Sequence, residues 1–150
     1  MMAESIRVLC VEPAVGECAS LEAIFTRTAA SGSDVIWKLY ESPSVAAAVR
    51  LVGEGVFSII LCDAQTITGS WKELLEAMRP MPAPPLLIVT SRLADEQLWA
   101  EALNLGAHDV LAKPYDSREV IWALDAAWEH WQQSLRLPLT SEVFPVAIAS

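Results

Sequence analysis

The sequence predicts an α/β protein, a three-layer sandwich with a five-stranded parallel sheet between helices. Three observations carry this. Short apolar runs alternate with helix-period segments five times along the 150 residues. The runs Phe57-Ser58-Ile59-Ile60-Leu61-Cys62 and Leu86-Leu87-Ile88-Val89 are apolar almost throughout, as strands covered on both faces are. Several runs stop abruptly at a charged or hydroxyl residue, which places polar groups at one edge of the sheet.

The elements follow in order. Ile6–Val11 reads as the first strand. From Val15 to Ala29 the apolar positions Cys18, Leu21, Ile24 and Phe25 recur at helical spacing, and Ser31-Gly32-Ser33 ends that helix. Val35–Tyr40 is the second strand. Ser42-Pro43-Ser44 supplies an N-cap for an alanine-rich helix over Val45–Val52, stopped by Gly53 and Gly55. The third strand ends at Asp63. Ser70 with Glu73 has the form of a capping box and opens a helix to about Arg79. Pro80, Pro82, Pro84 and Pro85 forbid its continuation. Leu86–Thr90 is the fourth strand. Asp95 opens the next helix, which runs to Leu105, and Gly106 is suited to follow its last turn. Val110–Ala112 is a short fifth strand. Asp116 and Glu119 cap a last helix reaching about Ser134.

Composition narrows the function. Hydrophobic residues make up 53% and charged residues 19%, which excludes a disordered chain. The net charge of −9 argues against direct nucleic-acid binding, since phosphate contacts need a basic face. No apolar run is long enough for a membrane span, and no basic region followed by an apolar one opens the chain. A cytoplasmic protein is expected. The three cysteines, Cys10, Cys18 and Cys62, lack metal spacing and read as reduced, buried thiols. His108 and His130 are isolated in sequence. One domain is expected over residues 1–135. An apolar tail over 136–150 follows, with no output domain.

Next come the strand ends. Glu12 follows the first strand, Asp63 ends the third, Thr90 the fourth, and Lys113 follows the fifth. A parallel sheet gathers all four on one edge. Two carboxylates can share a hard cation such as Mg²⁺. A lysine can pair with a phosphate or with a carboxylate, and a threonine hydroxyl can bond a phosphoryl oxygen. The set suits formation of an acyl phosphate on an aspartate, where neutralising charge and positioning do most of the chemistry.

From about residue 6 to 133 the chain resembles the receiver domain of two-component response regulators. The resemblance is strongest over Ala102-Leu103-Asn104-Leu105-Gly106-Ala107-His108-Asp109-Val110-Leu111-Ala112-Lys113-Pro114-Tyr115, with Leu61-Cys62-Asp63 and Val89-Thr90-Ser91 in support. It implies a flavodoxin-like fold with strand order 2-1-3-4-5. It implies Asp63 as phosphoacceptor, Thr90 as switch hydroxyl, Lys113 as phosphate partner and a cis peptide before Pro114. The implied donor is a histidine kinase or phosphotransfer protein, and the implied role is signalling rather than enzymatic turnover. Three positions depart from the pattern. The paired acids after the first strand are here Glu12 and Pro13, so the Mg²⁺ site formed by Glu12 and Asp63 is one carboxylate short and weak. The loop after Asp63 reads Ala64-Gln65-Thr66-Ile67-Thr68-Gly69, without a Met-Pro pair. The aromatic switch position is Val110. Two functions stand side by side: a phosphorylated receiver, and a degenerate receiver that binds partners without phosphorylation. A flavin-binding flavodoxin shares the topology, but the loop after the first strand lacks the hydroxyls that would hold its phosphate.

The last helix adds a surface. Ile121, Leu124, Trp128, Trp131 and Leu135 form a stripe expected to face the sheet, which turns Trp122 outward. In the helix before it Leu98, Ala102 and Leu105 are expected inward, with Leu103 outward and Trp99 on the flank. The fourth helix, fifth strand and fifth helix are the docking or dimer face that the resemblance implies. Trp99, Leu103 and Trp122 are the residues expected on it, facing a protein partner, a second copy or the apolar tail.

Overall fold

The computed structural model describes residues 4–11, 18–54, 57–64 and 70–136. The strands are β1 (Glu4–Val11), β2 (Val35–Ser42), β3 (Ile59–Asp63), β4 (Leu86–Ser91) and β5 (Asp109–Ala112). The helices are α1 (Ala19–Ala30), α2 (Val45–Val52), α3 (Trp71–Met78), α4 (Glu96–Leu105) and α5 (Ser117–Arg136). The five strands are parallel, in the order β2-β1-β3-β4-β5. No helix among the described residues is long and apolar enough to cross a membrane.

The period-2 alternation of strand side chains divides the core into two layers. Val8 and Cys10 of β1, Ile59 and Leu61 of β3, Ile88 of β4 and Leu111 of β5 pack with α1 and α5. Their sequence neighbours Leu9, Val11, Ile60, Cys62, Leu87, Val89 and Val110 pack with α2, α3 and α4. Every residue of β3 is buried, as its unbroken apolar run requires.

The helix ends explain themselves locally. Ser44 Oγ accepts from the N–H of Ala47, Ser70 Oγ from Lys72 and Asp95 Oδ1 from Leu98. Asp116 Oδ1 accepts from Arg118 and Glu119 at the start of α5. Each bond satisfies a donor that a helix N-terminus otherwise leaves unpaired. Gly106 closes α4 at φ 112°, a backbone conformation that costs a side-chain-bearing residue about 1–2 kcal/mol.

Four expectations are corrected. β2 runs two residues past Tyr40, because Glu41 and Ser42 still pair with Cys10 and Val11 of β1. The described part of the first helix begins at Ala19, with Cys18 at its N-cap position, and Val15 lies outside the described residues. Leu105 points outward, 39% exposed, so Ala102 is the inward residue of α4 and Leu98 is half-buried against it. The buried seam of α5 is Val120, Ala123, Leu124 and Ala127, with Ile121 and Trp128 packed at its border. Small alanines let the helix backbone approach the sheet, while the bulky aromatics do better stacked at the edge. Trp128 and Trp131 stack there with centroids 5.5 Å apart. The side chain of Leu135, also placed in that stripe, lies outside the described residues.

Candidate phosphoacceptor site

Asp63 is the last residue of β3, and its register partner across the ladder is Thr90 of β4. The N–H of Ala64 donates to the Thr90 carbonyl at 2.8 Å, carrying the ladder one step beyond Asp63. On the other side of β4, the N–H of Lys113 donates to the Ser91 carbonyl at 2.9 Å. These two backbone bonds hold the acid and the lysine at the same edge, although fifty positions separate them. The peptide between Lys113 and Pro114 is cis.

Lys113 Nζ donates to Asp63 Oδ2 in a direct ion pair. Both side chains are buried, at 4% and 6% exposure. Removing two charges from water costs several kcal/mol per ion, so such a pair is poor evidence of a structural role. A surface aspartate capping a turn needs no buried lysine. Lys113 Nζ also lies 6.0 Å from the centroid of the Tyr115 ring, within cation–π range. Tyr115 was part of the resemblance but had no role assigned from sequence; its proximity to the ammonium is visible only in three dimensions.

Thr90 is fully buried, and its Oγ1 has no hydrogen-bond partner among the described residues. Buried hydroxyls are paired in most folded proteins, so this one, across the ladder from Asp63, is unusual. The neighbouring Ser91 hydroxyl is engaged by the turn, accepting from the N–H of Leu93 at 2.9 Å.

Of the four residues expected at this edge, the structure brings Asp63, Thr90 and Lys113 together. Glu12 lies outside the described residues, as do Pro13 and the loop over 65–69; the described part of β1 ends at Val11, which pairs with Cys62. Among the described residues no group of three or more His, Cys, Asp or Glu forms a metal cluster.

The expected surface residues also have positions. Trp99, Leu103 and Trp122 are exposed, Trp122 at 78%. Trp99 and Trp122 flank a groove of about 460 Å³ floored by Val110, Leu111 and Ala112. Trp122 also borders a second groove, about 730 Å³, between α1 and α5 with Arg27 and Arg118. It therefore stands on the ridge between the two.

A parallel sheet of this order, with an acid, a hydroxyl and a lysine gathered at its carboxyl edge, gives the chain the fold of response-regulator receiver domains. It is 28% identical over 141 residues, 89% of its length, to the transcriptional regulatory protein ZraR of Salmonella typhimurium. It is also 28% identical over 131 residues to ZraR of Escherichia coli K12. The chain spans about 29% of the length of the Salmonella regulator. Among solved structures, a CheY-like response regulator receiver domain protein from Methanospirillum hungatei matches with a TM-score of 0.71 at 17% identity. That match covers 87% of this chain and 98% of that one. The signal receiver domain of an HD domain-containing protein from Pseudomonas fluorescens matches with a TM-score of 0.71 at 20% identity, over 87% and 99% of the two chains. At these identities the solved structures speak for the fold. No protein-family model matches the chain.

Proposed function

We propose that Asp63 accepts a phosphoryl group from a histidine kinase or phosphotransfer protein, and that the phosphorylated domain signals through a protein–protein surface. One observation carries the reading: the buried Lys113–Asp63 pair beside a Thr90 hydroxyl that has no hydrogen-bond partner among the described residues. A carboxylate oxygen of Asp63 attacks phosphorus, the P–N bond to the donor imidazole breaks as the P–O bond forms, and the departing nitrogen takes a proton. Lys113 then exchanges the carboxylate for phosphoryl oxygens, neutralising their charge. The Thr90 hydroxyl donates to one of those oxygens. Mg²⁺ would add charge neutralisation, held by Glu12 and Asp63, and weakly because Pro13 brings no carboxylate. The face of α4, β5 and α5 with Trp99, Leu103 and Trp122 is the proposed partner or homodimer surface. The expected cytoplasmic location belongs to this reading.

Incubating the folded protein with Mg²⁺ and acetyl phosphate tests it. A phosphate mass adduct is expected in the wild type and absent from Asp63→Asn; an adduct that survives in Asp63→Asn moves the acceptor elsewhere. Pro13→Asp should bind Mg²⁺ more tightly by calorimetry, and equal affinities would make the missing acid irrelevant. A second reading, a degenerate receiver that binds its partner without phosphorylation, is favoured by Val110 in place of an aromatic. It requires no adduct at all, together with a partner bound equally by wild type and Asp63→Asn.

A further inference from the structure

Cys10 and Cys18 meet in the layer between the sheet and α1. Their sulfur atoms are 3.0 Å apart, and both side chains are buried. Cys10 lies near the carboxyl end of β1 and Cys18 at the N-cap position of α1. A disulfide places its sulfurs about 2.05 Å apart, so closing this pair takes a shift of about 1 Å. Nothing in the spacing of the two residues announced the contact; the packing of α1 on β1 produces it.

Cys62 is excluded from the pair by the sheet itself. Cys10 and Cys18 belong to the layer packed on α1 and α5, whereas Cys62 points into the layer of α2, α3 and α4. Any thiol exchange begun at Cys10 or Cys18 therefore has one partner within reach. The segment between them contains Glu12 and Pro13. A bond between the two sulfurs ties the end of β1 to the start of α1 and closes that segment into a short ring.

We propose that Cys10 and Cys18 are a dithiol pair that forms a reversible intramolecular disulfide. The oxidant is a low-molecular-weight disulfide such as oxidised glutathione. One protein thiolate attacks a sulfur of the donor, forming a mixed disulfide and releasing one glutathione thiol. The second protein thiolate attacks the protein sulfur of that mixed disulfide and releases the other glutathione. The protein loses two electrons and two protons, and the donor is reduced to two thiols. Inside a reducing compartment such a bond is transient, which suits a sensor rather than a structural clamp. The proposal does not depend on phosphorylation of Asp63.

The test uses the intact folded chain. It is incubated with oxidised glutathione, remaining thiols are alkylated after unfolding, and the protein is weighed and mapped by digestion. The expected product has lost two hydrogens in mass, carries one alkylated cysteine, Cys62, and yields one cross-linked peptide joining Cys10 to Cys18. Dithiothreitol should restore three alkylatable thiols. On oxidation the thermal midpoint should shift in the wild type and stay unmoved in Cys18→Ser. Three alkylated cysteines after oxidation, a stable glutathione adduct, or a cross-link through Cys62 would each overturn the proposal. Mapping the wild type decides the matter even where Cys18→Ser folds poorly.

Discussion

At the scale of single residues, the Asp63–Lys113 pair sets the chemistry and a stability cost together. Lys113→Ala leaves a buried carboxylate without its cation, which should lower stability by about 3–5 kcal/mol while the fold survives. Urea denaturation measures the loss, and it should shrink when Asp63→Asn is added to the same chain, because no charge then remains to be stranded. Thr90 behaves in the opposite way. Its buried hydroxyl has no partner among the described residues, so Thr90→Val should be neutral or stabilising by about 1 kcal/mol. The same change should remove the conformational response to phosphate. A Thr90→Val chain that is clearly less stable than wild type would mean the hydroxyl is already bonded in the resting protein.

At the scale of elements, α5 is held by a narrow seam of small residues. Ala123 and Ala127 are buried against the sheet, so Ala123→Leu should destabilise by about 1–3 kcal/mol through overpacking. Trp122, one position away, is exposed, and Trp122→Ala should change stability by no more than about 0.5 kcal/mol. Comparable losses for the two would show that the seam is misplaced. The far half of α5 meets the turn before β5 through two histidines. The His108 and His130 rings are 5.4 Å apart. Burial, and then the nearby His130, lower the His108 pKa from its usual 6.5, against a smaller upward pull from Asp109. A histidine with a depressed folded pKa binds fewer protons folded than unfolded. Its contribution to stability is therefore complete above pH 6.5 and is lost as pH falls through that value toward the folded pKa. Urea midpoints between about pH 7.5 and 5.5 should fall more steeply in wild type than in His108→Gln. Equal slopes would remove His108 from the account.

At the scale of the whole molecule, the face of α4, β5 and α5 exposes Trp99, Leu103 and Trp122. Exposed tryptophans beside an apolar groove are common at interface centres. Sedimentation should show self-association of the wild type that Trp122→Ala weakens, and a chain ending at Ser134 should associate as the wild type does. If all three are monomers and a quencher reaches Trp122 only in the shortened chain, residues 136–150 cover the face and the dimer reading fails.

The alternation of strands and helices, the caps at Ser44, Ser70 and Asp116, and the polar strand ends were all legible in the sequence. Each is a local pattern: periodicity, a side chain near its own backbone, or the point where an apolar run stops. The parallel sheet then brings the strand ends to one edge, so Asp63, Thr90 and Lys113 could be named together in advance. Tertiary structure alone decided the rest. Which face of α5 is buried depends on how closely the backbone can approach β5 and β3, so Ala123 and Ala127 displaced the larger Trp128 and Trp131 from the seam. Leu105 turned outward for a related reason, since Ala102 fills the inward position of α4. The orphan hydroxyl of Thr90 and the contact of Cys10 with Cys18 depend on neighbours from other elements. Hydrogen bonding and close packing are settled by atoms distant in the chain, and local periodicity carries no record of them.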